Sequence, residues 1–415
     1  SLTLGASGDT ITIPAGATFD SSAATTTLPA TVVTTTGTQT LSNKTIDATQ
    51  LTDSTVTTAK LAYDPNPFRN IIINGDMSID QRNAGVSIVN PGASSVTYTC
   101  DRLAVRNATD AVVNVIQSTD SPNANFTNSL ELDVTTLDSS IAAGQVYTVQ
   151  QRVEGLNISS LGFGKAGTRY CTISFWHKHT KTGTYCVGLT NSAGNRAYPA
   201  EYTQSVADTW EYSTISAIPV DTTGTWLMTN GIGLIVYFVV AAGTNFHGTV
   251  DTWSAANTFA TANQVNALDS TSNFFRITGV QLEAGTTASD FEFLPVDVNL
   301  GRCQRYYEKT YALGTTPGTS GTGQRDQGST DAASHFVIHD RFCVKKRTTP
   351  TITVYTNSGT SGSWNASTTG LDTTLTVVAF ASLDDNKIGV YFTFGGARNF
   401  QSAWVAGFWV ADAEL

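Results

Sequence analysis

Beyond residue 95 the chain repeatedly alternates apolar and polar side chains. Turn-forming clusters such as Ser121-Pro122-Asn123-Ala124-Asn125 and Asn191-Ser192-Ala193-Gly194-Asn195 break the alternation. A period of two places successive side chains on opposite faces of a strand. In Thr172-Ile173-Ser174-Phe175-Trp176 it directs Ile173 and Phe175 into a core. The pattern predicts strands at 96–100, 112–118, 130–134, 146–153, 168–178, 185–189, 211–218, 232–240 and 274–282. This density of strands over residues 68–296 suits an antiparallel sandwich of jelly-roll type.

Residues 1–63 differ in kind. They hold 19 threonines, few large apolar residues and no helical periodicity. Alone, such a segment cannot bury enough surface to offset its ordering entropy. It is therefore disordered, or it is a thin shaft ordered by trimerisation. Period-two pieces at 9–14 and 31–34, and the recurrence of Ile46, Leu51, Val56 and Leu61, favour the shaft. Pro65-Asn66-Pro67 then acts as a hinge. A helix is expected over 297–309, where Leu300, Cys303 and Tyr307 share a face, Asp297 can cap the start, and Arg305 and Lys309 suit the end. Residues 314–329 read as a loop. Strands at 335–345, 351–356, 374–381, 388–394 and 403–411 form a β-domain small for an independent core. The layout is all-β: a trimeric Thr-rich shaft segment (1–63), a central antiparallel jelly-roll sandwich (68–296), a linker helix (297–310) and a small C-terminal β tip domain (311–415).

Composition narrows the function. Charged residues are 13% of the 415, and the net charge is −10. Phosphate binding needs a basic face, so a nucleic-acid partner is excluded. A weakly charged polar surface suits neutral, hydrated ligands such as glycans. No apolar run is long enough to span a membrane, so membrane insertion is not expected. The chain opens on a polar segment at Ser1, without a basic signal region, and reads as a piece of something longer. Its cysteines, Cys100, Cys171, Cys186, Cys303 and Cys343, are odd in number and widely spaced, without a C-x-x-C pair. They read as buried small apolar residues assembled in a reducing cytosol rather than zinc ligands. G-x-S-x-G, H-E-x-x-H, P-loop and G-x-G-x-x-G motifs are absent.

Two segments bracket the central region. One is Asn70 to Arg82, NIIINGDMSIDQR; the other runs through Val280-Gln281-Leu282-Glu283-Ala284-Gly285 and Phe291-Glu292-Phe293 to Cys303-Gln304-Arg305-Tyr306-Tyr307. Both look like terminal strands of one closed β-domain. The pair resembles a module common in bacteriophage tail fibres and receptor-binding proteins. Further matching pieces are Cys100-Asp101-Arg102-Leu103, Val149 to Glu154 (VQQRVE) and Ile173-Ser174-Phe175-Trp176. Thr38 to Ile46 (TQTLSNKTI) is similar to a repeat of phage fibre shafts. The resemblance covers residues 68–310. It implies a homotrimeric virion fibre, assembled in the host cytoplasm with other phage tail proteins. It also implies a carbohydrate-binding-like jelly roll that attaches to host cell-surface polysaccharide without catalysis. The alternatives are a polysaccharide-degrading tailspike and a structural adaptor without host contact. Met77 and Leu103 stand where the family often has aromatic residues.

Candidate site residues fall into four groups. A tryptophan can stack on the apolar face of a sugar, and Trp364, Trp404 and Trp409 are the first choices, with Trp210, Trp226 and Trp253 behind them. Trp364 lies in the polar stretch Gly359–Asn365 and is expected to be exposed. Lys345, Lys346 and Arg347 could meet an anionic polysaccharide, or form a solvated strand end. No cofactor is required, but the resemblance implies that Asn74, Asp76 and Glu283 could hold a structural calcium ion. The competing reading is a turn at Asn74 and Asp76, with Glu283 paired to Arg102 or Arg152. Asp76, Glu283, Asp290 and Glu292 could converge as a hydrolytic carboxylate pair, although their spacing does not show it. His177 and His179 share a strand face, and with His335 and His339 they could form an axial metal comb, or be polar surface residues.

Overall fold

The computed structural model describes residues 68–415 apart from 91, 93–94, 328–334, 369–370 and 394–403; side chains at 324–338, 366–382, 391–393 and 404 are not included in the description. The expected shaft at 1–63 lies outside the described residues. All those described belong to one compact unit.

The first strands are β1 (Ile88–Asn90), β2 (Val96–Tyr98), β3 (Ala104–Asn107), β4 (Val112–Ser118), β5 (Ser129–Thr136) and β6 (Val146–Glu154). There follow β7 (Tyr170–His179), β8 (Gly183–Thr190), β9 (Ala197–Gln204), β10 (Glu211–Pro219), β11 (Ile232–Ala242) and β12 (Phe274–Ala284). They make two antiparallel six-stranded sheets, ordered β1-β4-β5-β12-β7-β10 and β2-β3-β6-β11-β8-β9. Leu130, Leu132, Ile173, Phe175 and Leu282 of the first sheet meet Val149, Val187, Val236 and Phe238 of the second in one continuous core. The fold is the all-β, jelly-roll-like sandwich that the alternation predicts. Strand β9 is an addition to that reading: Pro199 and Glu201 break its apolar pattern, yet it pairs with β8 along its whole length. It lies at a sheet edge, where a residue lacking an N–H is tolerated.

The bracketing segments do meet, but only the second includes a strand: residues 70–82 are a run of bends and turns, because their backbone groups are satisfied by side chains and by single contacts to β12 rather than by a ladder. The Ile71 N–H donates to the Leu282 carbonyl at 2.8 Å, and the Val280 N–H to the Gly75 carbonyl at 2.8 Å. Asn74 takes a left-handed conformation (φ 59°), and its side-chain amide donates to the carbonyls of Ile79 and Asp101. Gly75 is required here, since a Cβ would lie 2.0 Å from the Val280 carbonyl oxygen. Gln151 completes the junction by exchanging two hydrogen bonds with the backbone of Ile73, at 2.8 and 2.9 Å.

The helix α1 (Val296–Gln304) is shorter than expected. Asp297 lies in its first turn and does not cap it; Pro295 is the N-cap residue. Tertiary contacts end the helix early. The Tyr306 hydroxyl donates to the buried Glu154 carboxylate at 2.6 Å, and Arg305 grips that carboxylate through both of its oxygens. Tyr307 thus leaves the helical face and opens β13 (Tyr307–Lys309).

The remaining strands are β14 (Gln324–Gln327), β15 (His335–Arg341), β16 (Thr351–Tyr355), β17 (Ser363–Thr368), β18 (Leu371–Leu383), β19 (Lys387–Thr393) and β20 (Trp404–Asp412). Strand β20 is the organiser, pairing with β13, β14, β16 and β17. Its continuation anchors on the sandwich: Arg102 pairs with Glu414, Arg82 with Asp412 at 2.8 Å, and Arg152 donates to the Leu415 carbonyl oxygen at 2.7 Å. The Arg102 guanidinium also lies 3.6 Å over the Tyr306 ring.

Candidate functional site

The residues singled out from sequence have mostly structural placements. Trp364 is a correction: it is 1% exposed. The polar stretch around it is not all loop, because β17 begins at Ser363 and turns the indole inward, where its N–H donates to the Phe408 carbonyl at 2.8 Å. Trp409 is buried too, donating from its ring N–H to Asp340 at 3.0 Å. Trp404 lies on β20, with its side chain outside the described residues. Trp226 and Trp253 pack on each other with Phe163.

The basic triplet does not form one surface patch. Lys345 is exposed beside Asp385 at 3.1 Å. Lys346 is completely buried against Glu308, and Arg347 donates to the carbonyl oxygens of Ala413, Glu414 and Asn230. The domain fold consumes two of the three charges.

Asn74 and Asp76 line a small polar cleft with Asn70, Glu292 and Arg302, at the meeting of the bracketing segments. Asp76 accepts a hydrogen bond from Asn299 at 3.3 Å. Glu283 is not among the residues lining this cleft. Its carboxylate accepts from the Ser289 N–H and hydroxyl and from Gln281, and its nearest cation is Arg69 at 3.8 Å, not Arg102 or Arg152. Glu283 and the Asn74–Asp76 turn thus have separate hydrogen-bond partners. Among the described residues, no group of three or more His, Cys, Asp or Glu side chains could hold a metal ion. Met77 and Leu103 are core residues. Of the cysteines, all are free; Cys343 is exposed and the other four are buried.

His177 and His179 are neither surface residues nor an open comb. Both are buried in the sandwich core beside Phe175, Tyr185, Tyr202 and Phe275. The His177 ring nitrogens lie 2.8 Å from Gln204 Oε1 and 2.8 Å from Ser213 Oγ. Burial lowers the His177 pKa to about 4, against a smaller upward pull from Gln204 and Glu211. Burial, and then the neighbouring His177, push His179 well down as well. His339 is exposed, and the His335 side chain lies outside the described residues.

A histidine depressed on folding takes up protons in the unfolded chain first. Stability from His177 is therefore complete above pH ~6.5 and is lost as pH falls toward about 4, by about 2–3 kcal/mol. Asp101 acts oppositely: burial raises its carboxyl to about 6, so its contribution is lost as pH rises through that value. Comparing the chain with its His177→Gln variant in denaturant melts at pH 6.5 and 4.5 cancels Asp101. The wild type should lose stability relative to the variant at the lower pH; parallel losses would contradict the assignment.

An accessible aromatic site lies elsewhere, on the outer face of the first sheet. Strand β7 sends Phe175 and His177 inward, so Trp176 and Lys178 point outward. Strand β10 pairs Tyr212 directly opposite Trp176. Tyr212 is 45% exposed and Trp176 half-buried, with ring centroids 5.2 Å apart and planes at 49°. On the other side of Trp176 stands Thr278 of β12, whose buried hydroxyl has no partner among the described residues. The next row along the sheet is charged. Asp120 accepts from the Trp210 indole N–H at 2.9 Å, Lys178 at 3.0 Å and Arg276 at 2.9 Å. Lys178 also reaches Asp208 at 2.9 Å, and Arg276 reaches Glu131 at 2.9 Å. Burial pushes the Asp120 carboxyl up, but its bonds to Trp210 and Lys178 outweigh this and hold it below the usual range. Trp210 was among the sequence candidates. Tyr212 was missed, although the alternation of β10 places it on the outward face, because single exposed tyrosines are common.

The site is thus an aromatic pair on the outer face of a β-sandwich, beside a fixed row of charges. No protein-family model matches the sequence, and no curated relative does. Among solved structures, the chain is similar to the enzymatically active domain of tailspike protein 4 from bacteriophage CBA120, at 16% identity over 53% of this chain and 22% of that one (TM-score 0.27). It is similar also to a putative sugar binding protein from Bacteroides thetaiotaomicron, at 12% identity over 52% and 99% (TM-score 0.28). A third is a family 11 carbohydrate-binding module from Clostridium thermocellum with a mixed-linked tetrasaccharide, at 10% identity over 49% and 98% (TM-score 0.24). Likenesses at these scores assign no function.

Proposed function

We propose that this chain is a non-enzymatic phage tail-fibre protein that attaches to host cells by binding surface glycans, with Trp176 and Tyr212 as the contact platform. The observation that carries the reading is the Trp–Tyr pair on the outer face of the sheet, with Tyr212 exposed and Trp176 half-buried. Tyrosine and tryptophan offer large amphipathic contact area at little conformational cost, and their ring faces suit the C–H face of a pyranose. The hydroxyl-rich, weakly charged composition and the matching bracketing segments support the virion setting. Trimerisation through the threonine-rich segment would place three platforms on one fibre. Weak single sites then add up to useful avidity.

Host-cell binding by the full chain tests this. Tyr212→Ala and Trp176→Ala should each weaken retention at least about tenfold, as truncation of a central aromatic contact does. The polysaccharide should be recovered without shortening. Unchanged binding by both variants would remove the platform from the account, and release of oligosaccharides would favour a degrading tailspike.

A further inference from the structure

We propose that the Trp176–Tyr212 platform selects neutral or amino-bearing sugars and rejects acidic ones, a specificity that rests on the glycan reading above. The outward face around the platform carries Asp120, Glu131, Asp133 and Asp208 against Lys178 and Arg276. Both cations are already committed, Lys178 to Asp120 and Asp208, and Arg276 to Asp120 and Glu131. Strand register orders them. Glu131, Arg276 and Lys178 lie in one row beside the Thr278–Trp176–Tyr212 row, and Asp133 lies opposite Phe274 in the row beyond. Adjacent rows on one face are about 7 Å apart, so a short oligosaccharide stacked on Trp176 extends over all three.

The excess of carboxylates has a local signature. The Asp133 carboxyl is raised first by desolvation and then by the neighbouring Glu131 charge. An incoming carboxylate or sulfate would meet this field and would find a cation only by breaking an existing ion pair. Like charges set against each other across an interface cost binding and slow encounter. A sugar hydroxyl, by contrast, finds acceptors on Asp133 and Asp208, both exposed. A sugar ammonium finds the same acceptors with a favourable charge. The −10 of the whole chain acts in the same direction at long range.

The test is an array of oligosaccharides sorted into neutral, amino-bearing and acidic members. It is probed with the full chain and with the Trp176→Ala/Tyr212→Ala double variant, at about 0.02 M and about 0.2 M salt. Binding that depends on the platform should be confined to neutral and amino-bearing members. Amino-bearing members should weaken several-fold as salt rises, and neutral ones should not. The charge reversal Asp133→Lys should admit acidic members at low salt. Platform-dependent binding dominated by acidic members would overturn the specificity and leave the platform standing. No platform-dependent binding of any member would overturn the glycan reading itself and the specificity with it.

Discussion

Replacing Trp364 by alanine should destabilise the fold around β17 and β20 by about 3–5 kcal/mol, the range for emptying a large aromatic site in a core. The indole is completely enclosed, packs in the cluster with Phe342, Val354, Ile388 and Trp409, and spends its N–H on the Phe408 carbonyl. Gly407 on β20 reports on the same contact, because a Cβ there would lie 2.1 Å from Trp364 Cδ1. Gly407→Ala should therefore be severely destabilising on its own and far milder when Trp364 is already alanine. Such non-additivity is the mark of two residues in direct contact. Denaturant unfolding of the two single variants and the double variant measures it. Additive losses, or a Trp364→Ala loss below about 1 kcal/mol, would mean that the ring is not seated where the structure places it.

A second large effect is expected at Lys346. Its ammonium is fully buried, pairs with the Glu308 carboxylate and donates to the carbonyl oxygens of Gln304 and Val344. Glu308 in turn accepts from the Cys343 N–H at 2.9 Å. Burial lowers the Lys346 pKa, and the Glu308 charge offsets part of that. Lys346→Met should cost about 3–5 kcal/mol, because it leaves a buried carboxylate without a counter-charge. Adding Glu308→Gln removes that charge and keeps the acceptor for Cys343, so the double variant should recover more than half of the loss. Thermal melts at neutral pH decide it. If the double variant is no more stable than Lys346→Met, the loss comes from packing rather than from the stranded charge.

Both residues show where reading the sequence succeeds and where it stops. Strand existence was legible because burial on one face imposes a period of two, and β5 and β7 follow it plainly. The closure was legible because apolar runs lead into Asn74-Gly75-Asp76 at one end and into Leu282-Glu283-Ala284-Gly285 at the other. Trp364 was not. Its neighbours are glycine, serine and threonine, so nothing local shows that β20 supplies a core across the sheet. Lys346 failed for the same reason: a lysine between Lys345 and Arg347 reads as solvated, and only the fold brings Glu308 to it. Helix length was misjudged because Tyr306 and Tyr307 continue the helical spacing, while Glu154 and β20 draw them into other contacts. The platform was half legible. Trp176 falls between the inward positions of the alternation, which puts it on the outward face, but its partner Tyr212 comes from a strand paired across the sheet, and that register is set by tertiary packing.

Titration of the full chain with neutral and amino-bearing oligosaccharides, followed by tryptophan fluorescence and calorimetry, tests the central claim most directly. Saturable binding by the wild type, lost in the correctly folded Trp176→Ala/Tyr212→Ala double variant, is the result this account predicts. Equal binding by the two proteins would contradict it and remove the outer face of the first sheet as the proposed glycan platform.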